Sequence, residues 1–216
     1  MNHFTDILFD LDGTISDSRE GIMLSAAYAL EKMHITEKDK ERLKRFAGPP
    51  LHDSFRNIYG LEGADTDMAI ELYREHYGET GMFRCAPYPG IPDLLETLHL
   101  EGKRLYIATS KLESFARKVI EYLGMEKYFT IIAGSNDDGS RAKKPEVIGY
   151  LLAQIPGLKK ENTAMVGDMR FDILGAREQG LHAIGVSYGY GTVEELKEAG
   201  AALIAGNAGE LASLLL

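Results

Sequence analysis

The chain has 216 residues, of which 44% are hydrophobic and 26% charged, and its 24 basic and 33 acidic side chains give a net charge of −9. A net-negative chain without a basic run argues against nucleic-acid binding, which needs clustered cations, although a local cationic pocket can still bind a small anion. The single cysteine, Cys85, excludes an internal disulfide and a cysteine-based zinc site. Because the first residues do not resemble a secretory signal and no apolar run reaches about 20 residues, we expect a cytoplasmic protein without membrane contact.

Short apolar runs alternate with segments of helical periodicity. In chain order the runs cover residues 6–9, 104–108, 129–133, 163–166, 182–187 and 202–204. The clearest helical segments span 90–101, 112–123 and 171–180, and Gly124 and Gly180 follow the last two, where a helix C-terminus favours a left-handed residue. Near-continuous apolar strands separated by helices are typical of a parallel sheet covered on both faces. The sequence therefore predicts a three-layer α/β fold.

The first two predicted strands are separated by a long insertion. Roughly 70 residues lie between them, where a crossover between parallel strands needs about a dozen. The apolar positions of this stretch, such as Ile22, Ala26 and Leu30, recur at helical spacing. We predict a helical subdomain over residues 16–86, hinged near 15–18 and 84–90. The core of the fold is then formed by residues 1–15 and 87–216.

Polar side chains stand where successive predicted strands end. Asp10 and Asp12 follow the first strand, Thr109 the second, and Asp168 with Asp172 the fourth, whereas Lys144 precedes the helix after the third. A single aspartate in such a place is usually a helix cap or a turn residue. Several carboxylates at one sheet edge would repel each other, so the full set implies a bound cation. Ligation by oxygen alone favours Mg²⁺ over zinc.

These residue types suit phosphoryl chemistry. Asp10 can act as a carboxylate nucleophile if Mg²⁺ and a lysine shield its charge, and Asp12 can protonate a leaving oxygen and later activate water. Thr109 and the N–H groups after it, at the start of a predicted helix, suit a phosphate oxygen. Lys144 can place a positive charge against the phosphoryl group. A solvated Lys144 beside Lys143 is the alternative that this pattern leaves open.

The combination of motifs resembles the haloacid dehalogenase superfamily. The matching stretches are Asp10-Leu-Asp-Gly-Thr14, Thr109, Lys144-Pro145 and Gly167-Asp168-Met-Arg-Phe-Asp172. Its phosphoglycolate-phosphatase-like branch is similar in three more, namely Asp17-Ser18, Gly48-Pro-Pro-Leu51 and Gly189-Tyr-Gly-Thr-Val-Glu-Glu-Leu196. The resemblance covers essentially the whole chain and implies a Rossmann-like core with an all-helical cap over 16–86.

The resemblance also implies a role for each motif residue. Asp10 would become the aspartyl-phosphate, Asp12 would be the general acid and base, and Thr109 and Lys144 would hold the phosphoryl group. Mg²⁺ would be bound by the Asp10 side chain, the Asp12 backbone carbonyl and Asp168, with Asp172 supporting the site.

Lys143 is the rival for the motif lysine. We prefer Lys144 because the family's lysine often directly precedes a proline and opens a helix, as Lys144 does before Pro145.

Substrate specificity in this architecture would come from the cap and from residues near the phosphate site. Gly48 and Pro49 in the cap, and Ser110 and Lys111 after Thr109, are the candidate substrate-binding residues. The branch's usual substrates include phosphoglycolate, nucleoside monophosphates, pyrophosphate and sugar phosphates. We expect a phosphoglycolate-phosphatase-like enzyme acting on a small phosphorylated metabolite, with a 5′-nucleotidase as the alternative.

Four other functions agree less well with the sequence. A dehalogenase would lack the second acid, Asp12, and the related hexose-phosphate mutases carry an arginine where Leu51 aligns here. A signalling receiver would be a shorter domain with its phosphorylated aspartate after the third strand. A binding module without turnover stays open, and Asp10→Asn would test it. Because no heptad seam or apolar edge strand is evident, we expect a monomer or a weak homodimer.

Overall fold

The computed structural model describes residues 4–216, which divide into two compact units. The larger unit contains residues 4–16 and Pro87–Leu216, and the smaller unit is the intervening segment Asp17–Ala86. Within residues 4–216, no helix is both long enough and apolar enough to span a bilayer.

A parallel sheet of six strands forms the centre of the larger unit in the described part of the chain. Its strands are β1 (Asp6–Phe9), β4 (Arg104–Leu112), β5 (Phe129–Ser135), β6 (Thr163–Gly167), β7 (His182–Val186) and β8 (Leu203–Ala205), in the order β5-β4-β1-β6-β7-β8. Two short strands, β2 (Ser16–Asp17) and β3 (Ala86–Pro87), form a separate two-stranded sheet. The predicted α/β fold with a parallel sheet is confirmed.

The helices follow the predicted alternation with the strands. The smaller unit contains α1 (Arg19–Lys32), α2 (Lys40–Lys44), α3 (Leu51–Tyr59) and α4 (Ala64–Glu79). The larger unit contains α5 (Ile91–Leu100), α6 (Glu113–Tyr122), α7 (Lys144–Ala153), α8 (Arg170–Glu178), α9 (Val193–Ala199) and α10 (Ala208–Leu215). Short 3₁₀ turns cover Gly81–Phe83, Glu126–Tyr128 and Lys160–Asn162.

The core of the larger unit lies between the sheet and its helices. One side of the three central strands packs against α7 and α8 through a fully buried cluster that includes Leu8, Tyr106, Met165, Val147, Ile148, Leu151 and Ala176. Burying an aliphatic side chain of this size stabilises the fold by about 1.5–3 kcal/mol. The apolar residues of the predicted central strands are therefore among the residues that fill this core.

The central strands β4, β1 and β6 are in register at the carboxyl end of β1. Phe9, the last residue of β1, pairs with Ile107 on β4 and with Val166 on β6. The segments that follow these three positions therefore emerge together at the carboxyl edge of the sheet, which is where open α/β sheets place their sites.

Strand β4 differs from the sequence prediction at its carboxyl end. The predicted strand stops at residue 108, whereas β4 continues to Leu112. The helix that the sequence predicts over 112–123 begins at Glu113. Its pairing with β5 shifts register between Ala108 and Leu112, so three residues of β4 face one residue of β5. Such bulges bend a strand and redirect its side chains, and they are common beside active sites.

The smaller unit is helical between its terminal strands. The rings of Phe46 and Phe55 meet edge to face at 4.8 Å between centroids, and α1 approaches the turn at Gly81 so closely that Gly21 has no room for a Cβ. Close backbone approach of this kind requires glycine. The smaller unit thus has its own buried contacts; the function of this segment as a cap stays a prediction.

Candidate active site

Asp10 lies at the carboxyl edge of the sheet, directly after β1. Its N–H donates to the carbonyl of Val166 at 2.9 Å, and its Oδ1 accepts from the N–H of Leu11 at 2.8 Å. The chain then turns sharply, with the N–H of Gly13 donating to the carbonyl of Ser16 at 2.8 Å. Gly13 has a φ of +87°, in the left-handed region that favours glycine. Backbone contacts thus fix Asp10 and leave its Oδ2 without a hydrogen-bond partner among residues 4–216.

Three carboxylates and one ammonium group meet at this edge. Asp10, Asp168 and Asp172 are buried, and each offers an oxygen within 4.8 Å of the others. The Nζ of Lys144 lies 2.8 Å from Asp10 Oδ1 and 2.7 Å from Asp172 Oδ1, and it donates to the carbonyl of Ala108 at 3.0 Å. Four side chains from three separate parts of the sequence are therefore in direct contact or close to it.

The crowding changes the protonation equilibria of the cluster. Burial, followed by the charges of Asp172 and Asp10, raises the pKa of Asp168 well above its usual value. Burial also raises the pKa of Asp172 to about 6, although the charge of Lys144 opposes this rise. Burial alone would lower the pKa of Lys144, but the charges of Asp10 and Asp172 outweigh it and the pKa is raised. The cluster thus has more negative charge than its single ammonium group can balance.

Asp168 packs directly against two glycines that no larger residue could replace without a clash. A Cβ on Gly13 or on Gly189 would overlap the Asp168 side chain. The carboxylate accepts hydrogen bonds from the hydroxyl of Thr14 at 2.9 Å and from the N–H of Tyr190 at 2.8 Å. Both donors are neutral, so they orient the carboxylate without cancelling its charge.

This donor set fits a hard divalent cation. The oxygens of Asp10, Asp168 and Asp172 converge, and no histidine or cysteine in the described part of the chain joins their group. Mg²⁺ prefers oxygen ligands of this kind, and a cation among them would remove the repulsion that raises the carboxylate pKa values.

Asp12 lies outside the carboxylate cluster and is paired with Lys111. The Nζ of Lys111 is 2.8 Å from Oδ1 and 2.7 Å from Oδ2 of Asp12, and the two side chains are only 7% and 16% exposed. The sequence predicts Lys111 as a substrate-binding residue but does not predict this ion pair. No local pattern links two residues so far apart in the chain, and only the adjacency of β1 and β4 brings them together.

The remaining core candidates lie close by on β4 and α7. Thr109 is buried in the bulge, where its hydroxyl accepts a hydrogen bond from the N–H of Lys111 at 3.3 Å, and Ser110 beside it is half-buried. Lys143 is exposed at the start of α7, whereas Lys144 is buried against the carboxylates. The structure therefore brings Lys144, and not Lys143, to the site.

Gly48 and Pro49 belong to the smaller unit. Both lie in the loop between α2 and α3 and are half-buried, and Gly48 has a φ of +111°. Their part in substrate binding stays a prediction.

Two contributions to the site were missed by the sequence analysis. Thr14 was quoted only as part of a motif, and Gly189-Tyr-Gly191 was noted only for its resemblance to the branch. The structure puts this glycine stretch against Asp168, and the hydroxyl of Tyr188 donates to the Thr14 carbonyl at 3.1 Å. The position of the stretch, directly after the fifth apolar run, was the available signal, because strand ends gather at the site.

Comparison with protein families agrees with this geometry. The profile of the family described as haloacid dehalogenase-like hydrolase matches residues 7–186. The 5′-nucleotidase of Pseudomonas aeruginosa is 43% identical over 194 residues, which cover 90% of this chain and 87% of that protein. A phosphoglycolate phosphatase from Aquifex aeolicus is 30% identical, with 85% of each chain covered.

Two further similarities extend the comparison. A solved structure described as a predicted phosphatase from Clostridium acetobutylicum superposes with a TM-score of 0.94, at 39% identity over 98% of both chains. The tyrosine-protein kinase PtkA of Mycobacterium tuberculosis is 38% identical over 87% of this chain, which spans 64% of that longer protein.

Proposed function

Because the chain belongs to the haloacid dehalogenase-like hydrolase family and is a phosphatase of that family, we propose that it hydrolyses small phosphate monoesters through an aspartyl-phosphate on Asp10, with Mg²⁺ as its cofactor. One observation supports this most strongly. The buried Lys144 ammonium contacts Asp10 and Asp172 inside a three-carboxylate group at the carboxyl edge of the sheet. A carboxylate can attack an anionic phosphoryl group only where cations offset both charges.

The proposed reaction has two steps. In the first, Oδ2 of Asp10, which has no hydrogen-bond partner among residues 4–216, attacks phosphorus. The bond from phosphorus to the ester oxygen breaks, and Asp12, reacting in its protonated form, gives a proton to that oxygen. In the second, water attacks phosphorus while Asp12 takes up a proton. The bond from phosphorus to Asp10 then breaks, and inorganic phosphate leaves.

The other polar groups would hold the transferring group. Lys144 would neutralise charge on the phosphoryl oxygens, and the hydroxyl of Thr109 would donate to one of them. Asp10 and Asp168, with Asp172 in support, would bind Mg²⁺ together with the Asp12 carbonyl. When bound, this ion would supply positive charge that lets Asp10 stay ionised beside an anionic substrate.

Two substrate classes are supported by relatives. Nucleoside monophosphates are favoured by the 43% identity to the 5′-nucleotidase, and phosphoglycolate by the 30% identity to the phosphoglycolate phosphatase. Both are small phosphate monoesters, so the same core chemistry serves either.

The decisive experiment measures phosphate release from a panel of metabolite phosphates. Wild type and Asp10→Asn are compared with Mg²⁺ and with excess chelator, and the exposed Asp93→Asn on α5 serves as a matched control. We expect release that depends on Mg²⁺, is retained by the control and is lost in Asp10→Asn. Release that survives in Asp10→Asn would contradict the proposed nucleophile. Movement of phosphate between sugar positions, or onto tyrosine, would show that the protein catalyses phosphoryl transfer and not hydrolysis.

A second variant tests the proposed acid. Asp12→Asn should lose turnover of alkyl phosphates yet still form the phosphoenzyme with an activated ester, whose leaving group needs no proton. Rapid-quench measurement of labelled protein separates these two steps. Full activity of Asp12→Asn on alkyl phosphates would show that another group supplies the proton.

A further inference from the structure

Arg141 has an unusual backbone conformation just before α7. Its φ is +54°, in the left-handed region that favours glycine and that a long side chain occupies at an energetic penalty. The side chain is nevertheless only 12% exposed, although arginine is ordinarily a surface residue. Such an outlier persists where the surrounding contacts determine it, so the contacts of Arg141 indicate what it does.

Three contacts hold the guanidinium group. Its Nε donates to the carbonyl of Gly134 at 2.6 Å, and one of its terminal nitrogens donates to Glu113 Oε2 at 2.8 Å. The group also lies 3.7 Å from the centroid of the Tyr150 ring, within the range of a cation–π interaction. The geometry uses both the fork and the flat face of arginine, which lysine cannot reproduce.

These partners belong to three different elements of the larger unit. Glu113 is the first residue of α6 and follows the bulge that carries Thr109. Gly134 lies near the end of β5, and Tyr150 lies on α7, the helix that begins at Lys144. One guanidinium group therefore links the element after Thr109 to the helix that carries Lys144.

The junction leaves little room for adjustment. A Cβ on Gly134 would lie 2.5 Å from the carbonyl oxygen of Lys111 and 2.7 Å from the Cα of Glu113. The N–H of Gly134 also donates to Glu113 Oε2 at 3.3 Å, the oxygen that Arg141 binds. The backbones of β5 and of the bulge are thus in direct contact where the arginine is attached.

We propose that Arg141 is a positioning residue that fixes the spacing between Thr109 and Lys144, the two groups that hold the phosphoryl group. The inference rests on the proposed function, because it concerns the same site. Arg141 does not touch the reacting atoms; it acts through Glu113 and Tyr150. A displacement of about 1 Å in groups that bind a transition state can reduce a rate by about a hundredfold, so a link of this kind has a kinetic effect.

The test uses Arg141→Gly, because glycine adopts the left-handed conformation without strain. If Arg141 only shaped the turn, glycine would serve equally well. Our proposal instead predicts that kcat/KM of the folded enzyme, measured well below the thermal midpoint of the variant, falls by about 10- to 100-fold. The inhibition constant of orthovanadate, which mimics the transferring phosphoryl group, should rise by a similar factor.

Three further variants separate the link from the general stability of the region. Arg117→Ala removes a neighbouring exposed arginine on α6 that binds Glu113 at 2.9 Å and donates to the Ile132 carbonyl on β5 at 3.0 Å. Because its hydrogen bonds join α6 to β5 and not to α7, this variant should keep wild-type kinetics. Arg141→Lys should recover only part of the lost activity. Arg141→Gly combined with Glu113→Gln should be no slower than the more impaired single variant, because both changes break the same contact.

The outcomes distinguish the two proposals. If the wild type is active and Arg141→Gly stays within twofold of it in kcat/KM and in the inhibition constant of vanadate, the positioning role is overturned. The proposed function is then unaffected. A wild type that binds orthovanadate but hydrolyses no phosphate ester would overturn the proposed function, and the two vanadate affinities would still test Arg141. A wild type that neither binds vanadate nor hydrolyses esters would overturn both.

Discussion

Asp168→Asn is expected to stabilise the protein when divalent cations are removed. Asp168 is fully buried and faces the carboxylates of Asp10 and Asp172. No cationic side chain among residues 4–216 forms an ion pair with it, since the Lys144 ammonium contacts only the other two. Asparagine removes one negative charge and can keep polar contacts with the neutral groups that orient this side chain.

The expected gain follows from the spacing of the carboxylates. Two unit charges 4.8 Å apart repel by about 3.5 kcal/mol at an effective dielectric constant of about 20, so two neighbours oppose the ionisation of Asp168 by roughly 7 kcal/mol. Proton uptake limits this penalty. Keeping an aspartate of ordinary pKa protonated at pH 7.5 costs about 5 kcal/mol, and the hydrogen bonds to the carboxylate reduce the penalty further. We therefore expect a gain of about 2–4 kcal/mol, or roughly 4–16 °C.

The sign of the effect depends on the pKa of Asp168. Folding raises this pKa, so the wild type loses stability as the pH rises from the unfolded pKa towards the folded one. Asparagine does not ionise and avoids that loss. The advantage of the variant should therefore be present at pH 7.5 and should shrink as the pH falls towards about 4.

Thermal unfolding with chelator and across a Mg²⁺ series checks this prediction. The wild type should gain about 2.7 kcal/mol at a Mg²⁺ concentration 100 times its dissociation constant, and Asp168→Asn should gain much less. The exposed Asp93→Asn should behave as the wild type does in both conditions. A variant less stable than wild type in chelator, or one that keeps the full response to Mg²⁺, would refute the electrostatic account.

Three further substitutions probe other parts of the larger unit. Gly189→Ala should abolish both the Mg²⁺-dependent rise in thermal midpoint and phosphate release, because its Cβ would overlap Asp168, a proposed Mg²⁺ ligand. Tyr106→Phe removes a 3.0 Å hydrogen bond to the buried Asp6 at the opposite end of β1, so urea unfolding should show a loss of about 1–2 kcal/mol with unchanged activity per folded molecule. Lys111→Met removes the ion pair that orients Asp12, the proposed general acid and base, and a less well-positioned acid should lower kcat roughly tenfold. A change in KM alone would indicate that Lys111 contacts substrate instead.

The sheet and the order of the site residues could be predicted because both depend on local patterns. Each central strand is a short apolar run, and burial on both faces makes that run nearly continuous. Parallel strands bring their carboxyl ends to one edge, so residues that follow separate runs meet in space. Asp10 and Asp168 were predictable for this reason, although they are far apart in the chain, whereas Lys144 was preferred over Lys143 from the family resemblance.

The contacts within the site were not predictable in the same way. The polar residues 109–111 end the apolar pattern of β4, yet the strand continues, because its partner β5 extends to Ser135. Lys111, which forms the ion pair with Asp12, lies within the bulge that this continuation creates, beside β1. The left-handed Arg141 has no signal in the sequence, since tertiary contacts, and not a turn propensity, determine it.

The charges of the cluster also explain why a divalent cation suits the site better than a second lysine. With all three carboxylates ionised, the single ammonium group of Lys144 leaves a net charge of minus two. A further lysine would leave one negative charge and would have to bury a long side chain where glycines already line the wall. A divalent cation balances the charge from a much smaller volume, and an anionic phosphoryl group can then approach Asp10 without net repulsion. The glycines that line Asp168 therefore leave space for a small cation, and the uncompensated negative charge of the cluster favours its binding.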